Sequence, residues 1–104
     1  MAVSSATTTE IVAAVPSLTI TVCGYLIQAG GTSPTLEWET GTKTTTACDT
    51  GTKALSGALA PVSGNIPGLG NQQTNVAGAS GGELCAVSGG TTPTLNGYVV
   101  YVQQ

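Results

Sequence analysis

Glu37 and Glu39 resemble the carboxylate pair with which glycosidases hydrolyse glycosidic bonds, and Trp38 between them could act as a platform for a sugar ring. Residues 35–40 alternate between apolar and polar side chains, which predicts a β-strand. Successive side chains of a strand point to opposite faces, so Trp38 should lie opposite both glutamates. The sequence therefore predicts a solvated strand face here rather than a glycosidase site.

The cysteines Cys23, Cys48 and Cys85 are candidate nucleophiles and metal ligands. They lack paired CxxC spacing, and the chain has no histidine to complete a zinc site or to act as a base. We therefore expect neither a metal nor another cofactor. Two interpretations stay open: one intrachain disulfide, with Cys23–Cys85 favoured because both lie on core-type strands, or three reduced and mostly buried thiols.

Asp49-Thr50-Gly51 resembles the Asp-Thr-Gly loop of retroviral-type aspartic proteases, which are β-rich homodimers of about this length. The resemblance implies one catalytic aspartate from each chain, the two sharing a proton. The flanks depart from that family, because residues 43–48 are not an apolar strand and Thr52 stands where Ala or Ser is expected. A turn in a Thr- and Gly-rich loop is the simpler interpretation. We expect no enzyme, and a protease using Asp49 is a remote alternative.

Charge is sparse, with Lys43 and Lys53 as the only basic residues and a formal net charge of -3. With so few cations to displace counterions, we expect no direct nucleic-acid partner. No run reaches the roughly 18 to 20 apolar residues of a membrane helix. Residues 1–15 lack the positive start and apolar core of a secretory signal. We therefore expect synthesis in the cytoplasm and no membrane partner.

Period-2 alternation of apolar and polar residues is the main structural signal. It is strongest at residues 18–27, 35–40 and 95–102 and weaker at residues 53–60, 74–79 and 83–87. Gly-rich turns separate these runs, which is typical of a sandwich or barrel. No segment combines helical periodicity with caps. The sequence predicts an all-β domain, a small β-sandwich or jelly-roll-like fold of about seven or eight short strands.

The predicted domain covers residues 18–104, and residues 1–17 are predicted to be an extended N-terminal arm. The arm has too little periodicity to fold by itself. Its apolar residues Ile11, Val12 and Val15 are the predicted partner-binding residues, since an extended segment can add to the sheet of a neighbouring subunit.

One heptapeptide occurs twice: residues 30–36 and residues 89–95 share six of seven residues. Each copy follows a run that carries a cysteine and precedes a run that carries an aromatic residue. Both are predicted to be hairpin connections. The same turn chemistry used twice would explain the echo, and so would the duplication of a unit of three or four strands.

A series of short motifs resembles a group of small β-sandwich proteins encoded among the virion genes of tailed bacteriophages. The motifs follow in the order Val22-Cys-Gly-Tyr25, Gly41-Thr-Lys-Thr-Thr-Thr-Ala-Cys-Asp-Thr-Gly-Thr52, Leu55-Ser-Gly-Ala58, Gly82-Glu-Leu-Cys85 and Asn96-Gly-Tyr-Val-Val-Tyr101. The resemblance implies a decoration or cement protein on the outer surface of the capsid, bound to the major capsid protein and often a homotrimer. It implies no catalytic residues.

Three classes of function remain after these exclusions. Capsid decoration is the first. A tail, fibre or other virion surface module differs from it in location rather than in fold. A secreted or surface adhesion domain would need an export route that residues 1–15 do not indicate.

Overall fold

Alternating apolar and threonine side chains after Leu18 form a strand, as predicted, but this strand continues for 23 residues. The structure, a computed structural model, describes residues 2–61, 64–68, 76–77 and 81–104. All regular structure in those residues is β. The strands are β1 (Ala2–Val3), β2 (Thr8–Val12), β3 (Ile20–Thr42), β4 (Thr50–Ala54), β5 (Asn65–Gly68), β6 (Val76–Ala77) and β7 (Glu83–Gln103).

The two long strands β3 and β7 pair antiparallel along nearly their whole length, and the other strands attach to their outer edges. In one half of the molecule, the N-terminal part of β3 pairs with β5 and β6, and β7 pairs with β1. In the other half, the C-terminal part of β3 pairs with β4, and β7 pairs with β2. The all-β class is thus confirmed, with seven strands in one antiparallel sheet.

The sheet bends so that its two halves face each other. Tyr25 and Trp38 lie on opposite halves of β3, 13 positions apart, a distance of roughly 40 Å along an extended strand. Their ring centroids are only 5.2 Å apart. The core between the halves consists of small aliphatic side chains around Trp38, namely Val3, Val12, Ile20, Val22, Ile27, Leu36, Ile66, Leu84, Ala86 and Leu95.

The repeated heptapeptide makes this bend, which corrects the prediction of two hairpin connections. Its copies lie within β3 and β7 and pair with each other, for example Gly30 with Thr94 and Gly89 with Thr35. The register shifts on both sides of Thr32, and residues in both copies adopt positive φ. Extra residues with left-handed backbone kink a strand without ending it. The Gly and Pro residues of the heptapeptide are therefore as compatible with a bend inside a strand as with a turn between two strands.

The molecule is a structural duplication about the pair Thr32–Thr91, with residues 24–42 of β3 matched to residues 83–101 of β7, 59 positions later. The flanking strands repeat as well, because β2 lies against β7 as β5 lies against β3. Likewise, Val3 bridges to Leu95 as Leu59 bridges to Leu36. Residues 2–42 are hereafter the first repeat and residues 59–103 the second. Of the two explanations for the echo, the structure supports duplication of a three-strand unit.

The segment predicted as an arm lies in the sheet instead. β1 and β2 both pair with β7, and Ser88 Oγ accepts a hydrogen bond from Thr7 N (3.0 Å). Val12 is 7% exposed. The alternation in residues 8–12 was too short to predict a strand alone, and the long edge of β7 supplies the missing partner.

Other predictions for the weaker runs differ in detail. Residues 64–68 form one of the Gly-rich segments that were predicted to be turns, but they include strand β5, in which Pro67 lies at an edge position of the sheet. The predicted strand at residues 74–79 is described only at Val76–Ala77, and its remaining residues lie outside the described part of the chain.

Candidate partner-binding surface

The carboxylates Glu37 and Glu39 lie on the outer side of β3, as predicted from strand alternation. Trp38 points into the core and is 1% exposed, whereas both glutamates are half-buried. Burial raises the pKa of Glu39, and the neighbouring charge of Glu37 adds to the rise. No pocket can therefore combine the two acids with the indole as a sugar platform.

Both oxygens of the Asp49 carboxylate form hydrogen bonds within their own loop. They accept hydrogen bonds from the backbone N–H groups of Thr44 (2.9 Å), Thr45 (2.9 Å) and Thr46 (3.0 Å) and from the Thr44 hydroxyl (2.8 Å). These donors hold the pKa of Asp49 well below its usual range. A protease dyad needs a carboxylate that can share a proton with its partner, and this environment favours a permanently ionised one.

One disulfide joins Cys48 to Cys85, rather than Cys23 to Cys85 as favoured from the sequence. Cys85 lies in β7 and Cys48 in the loop after β3, so the bond ties that loop to the sheet. Cys23 lies outside the bond at the register shift of β3, half-buried, with its sulfur 3.8 Å from Thr21 O. Strand membership alone could not select the pair, because the loop comes into contact with the sheet only in the folded chain.

Glu83 is the one buried carboxylate among the described residues, and it lies beside this disulfide. Its Oε1 accepts a hydrogen bond from Cys48 N and lies 3.5 Å from Cys85 Sγ, which has no proton to donate because it is bonded in the disulfide. Burial raises the pKa of Glu83, and a hydrogen bond to Glu10 raises it further. Ligand atoms of Cys48, Glu83 and Cys85 lie within 4.8 Å of one another. The two sulfurs are bonded to each other, however, so this cluster does not offer two thiolates to a metal.

Residues 43–49, hereafter the covering loop, pack on the outer face of one half of the sheet. Contact is closest at Gly41, where a Cβ atom would lie 3.1 Å from both Cα and Cβ of Cys48. The disulfide to Cys85 and the bond to Glu83 hold the loop in place. Asp49 in turn stabilises the loop from within. The disulfide, Glu83 and Asp49 thus all act to hold the covering loop in place.

The same face of the other half has no such cover among the described residues. Leu26 corresponds to Cys85, Tyr98 to Glu39 and Val100 to Gly41. These residues are exposed, with Tyr98 at 58% and Val100 at 53%. Together with Val102 they form an uncharged apolar patch, hereafter the bare face, which consists of Leu26, Tyr98, Val100 and Val102. Exposed apolar patches of this kind mark interaction sites.

The predicted partner-binding residues do not form one surface. Val12 lies in the core, Ile11 packs against the core, and only Val15 is exposed, at 41%. The bare face was missed, although its signal was present: residues 98–102 read Tyr-Val-Val-Tyr-Val, without the polar residues that alternation requires on a solvated face.

No protein-family model matches this chain, and no curated protein or solved structure does. Within the described residues, no helix is long and apolar enough to span a membrane.

Proposed function

We propose that the protein is a structural component of a bacteriophage virion that decorates the outer surface of the capsid and contacts the major capsid protein. The single observation that carries this proposal is the bare face. Leu26 and Val100 expose apolar side chains at positions where the counterparts in the other half, Cys85 and Gly41, are buried under the covering loop, and Tyr98 extends the exposed surface.

The uses of the polar residues support a structural role. Asp49 binds backbone amides, Glu83 binds the covering loop, and the Glu37–Glu39 pair is separated from Trp38 by the sheet. A role that depends on packing needs a small folded domain with an apolar contact surface, and this chain has both. The order of short motifs that resembles phage virion proteins supports the major capsid protein as the partner.

Cosedimentation tests the proposal. Heads of the phage that carries this sequence, prepared without the protein, are mixed with purified wild-type protein or with Leu26→Lys or Tyr98→Ser. We expect wild type to sediment with the heads and both variants to stay in the supernatant. Val15→Lys changes an exposed residue outside the bare face and should bind like wild type.

Tails prepared from the same phage distinguish the alternative of a tail or fibre module. Binding to tails but not to heads would replace decoration by that alternative. Failure to bind either, with the variants and wild type equally folded by circular dichroism, would contradict a virion role for the bare face.

A further inference from the structure

The C-terminal part of β7 has one open edge. It pairs with β3 on one side, and on the other side β1 reaches only Leu95 and Asn96. Among the described residues, no strand pairs with the outer edge at residues 98–102. An unpaired edge presents backbone N–H and C=O groups to any strand that comes alongside.

The first repeat shows what covers the equivalent edge. There β4 pairs antiparallel with β3, opposing Glu39 to Ala54 and Thr40 to Lys53. Trp38 O accepts a hydrogen bond from Leu55 N (2.8 Å), and Trp38 N donates to Ser56 Oγ (3.0 Å). Every second residue of the strand from Trp38 onward thus directs its backbone groups outward. Thr40 and Thr42 of β3 correspond to Val99 and Tyr101 of β7, so the backbone groups of Val99 and Tyr101 also point outward.

Space for an added strand exists next to this edge. A groove of about 420 Å³ is lined by Tyr98, Val99 and Tyr101 of β7 together with Ala2 of β1 and residues 9–11 of β2. Its counterpart in the first repeat is the place that β4 occupies.

The composition of the edge points to a second copy of the same chain as the occupant. Monomeric proteins guard open edges with charge or proline, and the equivalent first-repeat residues include Glu39 and Lys43. Residues 84–104 contain no charged side chain, so the two paired strands bring no like charges together, and Glu10 is the one charged residue that lines the groove. Antiparallel pairing about Val100 would oppose Tyr98 to Val102 and Val99 to Tyr101 of the second copy. Aromatic and β-branched cross-strand pairs are favourable.

We infer that two copies of this protein associate through an isologous, antiparallel pairing of their β7 edges centred on Val100. Val99 and Tyr101, whose backbone groups face outward, then exchange hydrogen bonds across the two-fold axis, and Val100 faces itself. The pairing joins two sheets into one continuous sheet and differs from the homotrimer that the virion resemblance implies. It does not depend on a capsid partner.

Light scattering after size-exclusion chromatography tests the inference through a charge-pair design. We expect wild type at high concentration to have twice the 10.2 kDa chain mass. Val100→Lys and Val100→Glu should each be monomeric, because each places like charges opposite one another. An equimolar mixture of the two variants should recover the dimer mass. Val15→Lys, at an exposed site outside β7, should dimerise like wild type.

A covalent trap gives a second readout. A non-hydrogen-bonded antiparallel pair places Cα atoms about 4.5 Å apart, which suits a disulfide. Val100→Cys in a Cys23→Ser background should therefore form a dimer on a non-reducing gel, and Val15→Cys in that background should not.

Three results would each overturn the inference: a wild-type chain that is monomeric at every concentration, a trimer mass that Val100→Lys leaves unchanged, or a charge-variant mixture that stays monomeric. Failure of capsid binding with an intact dimer would reject the proposed function and leave this inference standing. Capsid binding by a monomeric Val100→Lys protein would show that decoration does not require the dimer.

Discussion

Val100 has the position in the second repeat that Gly41 has in the first, and only Gly41 is covered by chain. The covering loop approaches Gly41 because no side chain stands in its way, whereas Val100 projects into solvent. The segment that joins the two repeats thus completes the first repeat, with the loop on its face and β4 on its edge. In the part of the chain that the structure describes, neither the face nor the edge of the second repeat is covered, so the two candidate binding surfaces lie next to each other.

Gly41→Val should displace the covering loop. The new Cβ would lie 3.1 Å from Cα and Cβ of Cys48, closer than the backbone there can accept without moving. We expect a lower melting temperature and faster reduction of the Cys48–Cys85 bond by dithiothreitol, followed by thiol labelling. Val100→Gly, the reciprocal exchange at an exposed site, should leave the reduction rate unchanged. Equal reduction rates in Gly41→Val and wild type would contradict the described packing.

The disulfide should contribute a large part of the stability. It closes a segment of 37 residues, for which the loss of chain entropy in the unfolded state predicts about 3–4 kcal/mol. Cys48→Ala should lower the free energy of unfolding in urea by about that amount. Reductant should destabilise wild type similarly but have no further effect on Cys48→Ala. Cys23→Ala is the matched control, and an effect of reductant on the Cys48 variant would show that another pairing forms.

Stability should depend on the protonation of Glu83. Burial and the contact with Glu10 raise the pKa of Glu83 in the folded state, so the folded chain holds this proton more tightly than the unfolded chain. The stabilisation that Glu83 provides through this proton is therefore present at low pH, and it is lost as the pH rises above 4.5 through the raised pKa. Glu83→Gln keeps an acceptor for Cys48 N and removes the charge. Urea unfolding at pH 4 to 8 should show that the variant gains stability relative to wild type as pH rises.

Asp49 has the opposite pH dependence, because hydrogen bonds lower its pKa in the folded state. Its contribution to stability is lost on acidification and is common to wild type and Glu83→Gln. The difference between the two proteins therefore isolates Glu83. A difference that is constant across the pH range would contradict the raised pKa.

The sequence was sufficient to predict the all-β class, the strand around Ile20 and the opposite placement of Trp38 and its neighbouring glutamates. It could not reveal that β3 continues through residues 30–36, because Gly and Pro mark a bend and a hairpin alike. The Cys48–Cys85 pair and the place of Val12 in the core depend on contacts between distant segments. The duplication became distinguishable from repeated turn chemistry only when the two copies were seen to pair with each other.

Val12 and Val15 should differ sharply in their tolerance of charge. Val12 is 7% exposed and belongs to the core, whereas Val15 is 41% exposed after the end of β2. Val12→Asp buries an unpaired carboxylate and should cost about 3 kcal/mol or more in urea unfolding. Val15→Asp should change the free energy by no more than about 0.5 kcal/mol. A fully stable Val12→Asp protein would restore the interpretation of residues 1–17 as a separate arm.

Gly90 and its counterpart Gly31 should be the least replaceable glycines of the bend. At Gly90 the φ angle is +106°, and a Cβ atom would lie 2.6 Å from Ser33 O and 2.8 Å from Thr32 O. Both the backbone conformation and the paired strand therefore exclude a side chain. Gly90→Ala should lose at least about 3 kcal/mol in urea unfolding or fail to fold. Gly57→Ala, where no atom lies within 4 Å of the added Cβ, is the matched control. Equal stability of the two variants would show that β3 and β7 do not pair at the repeated heptapeptide as described.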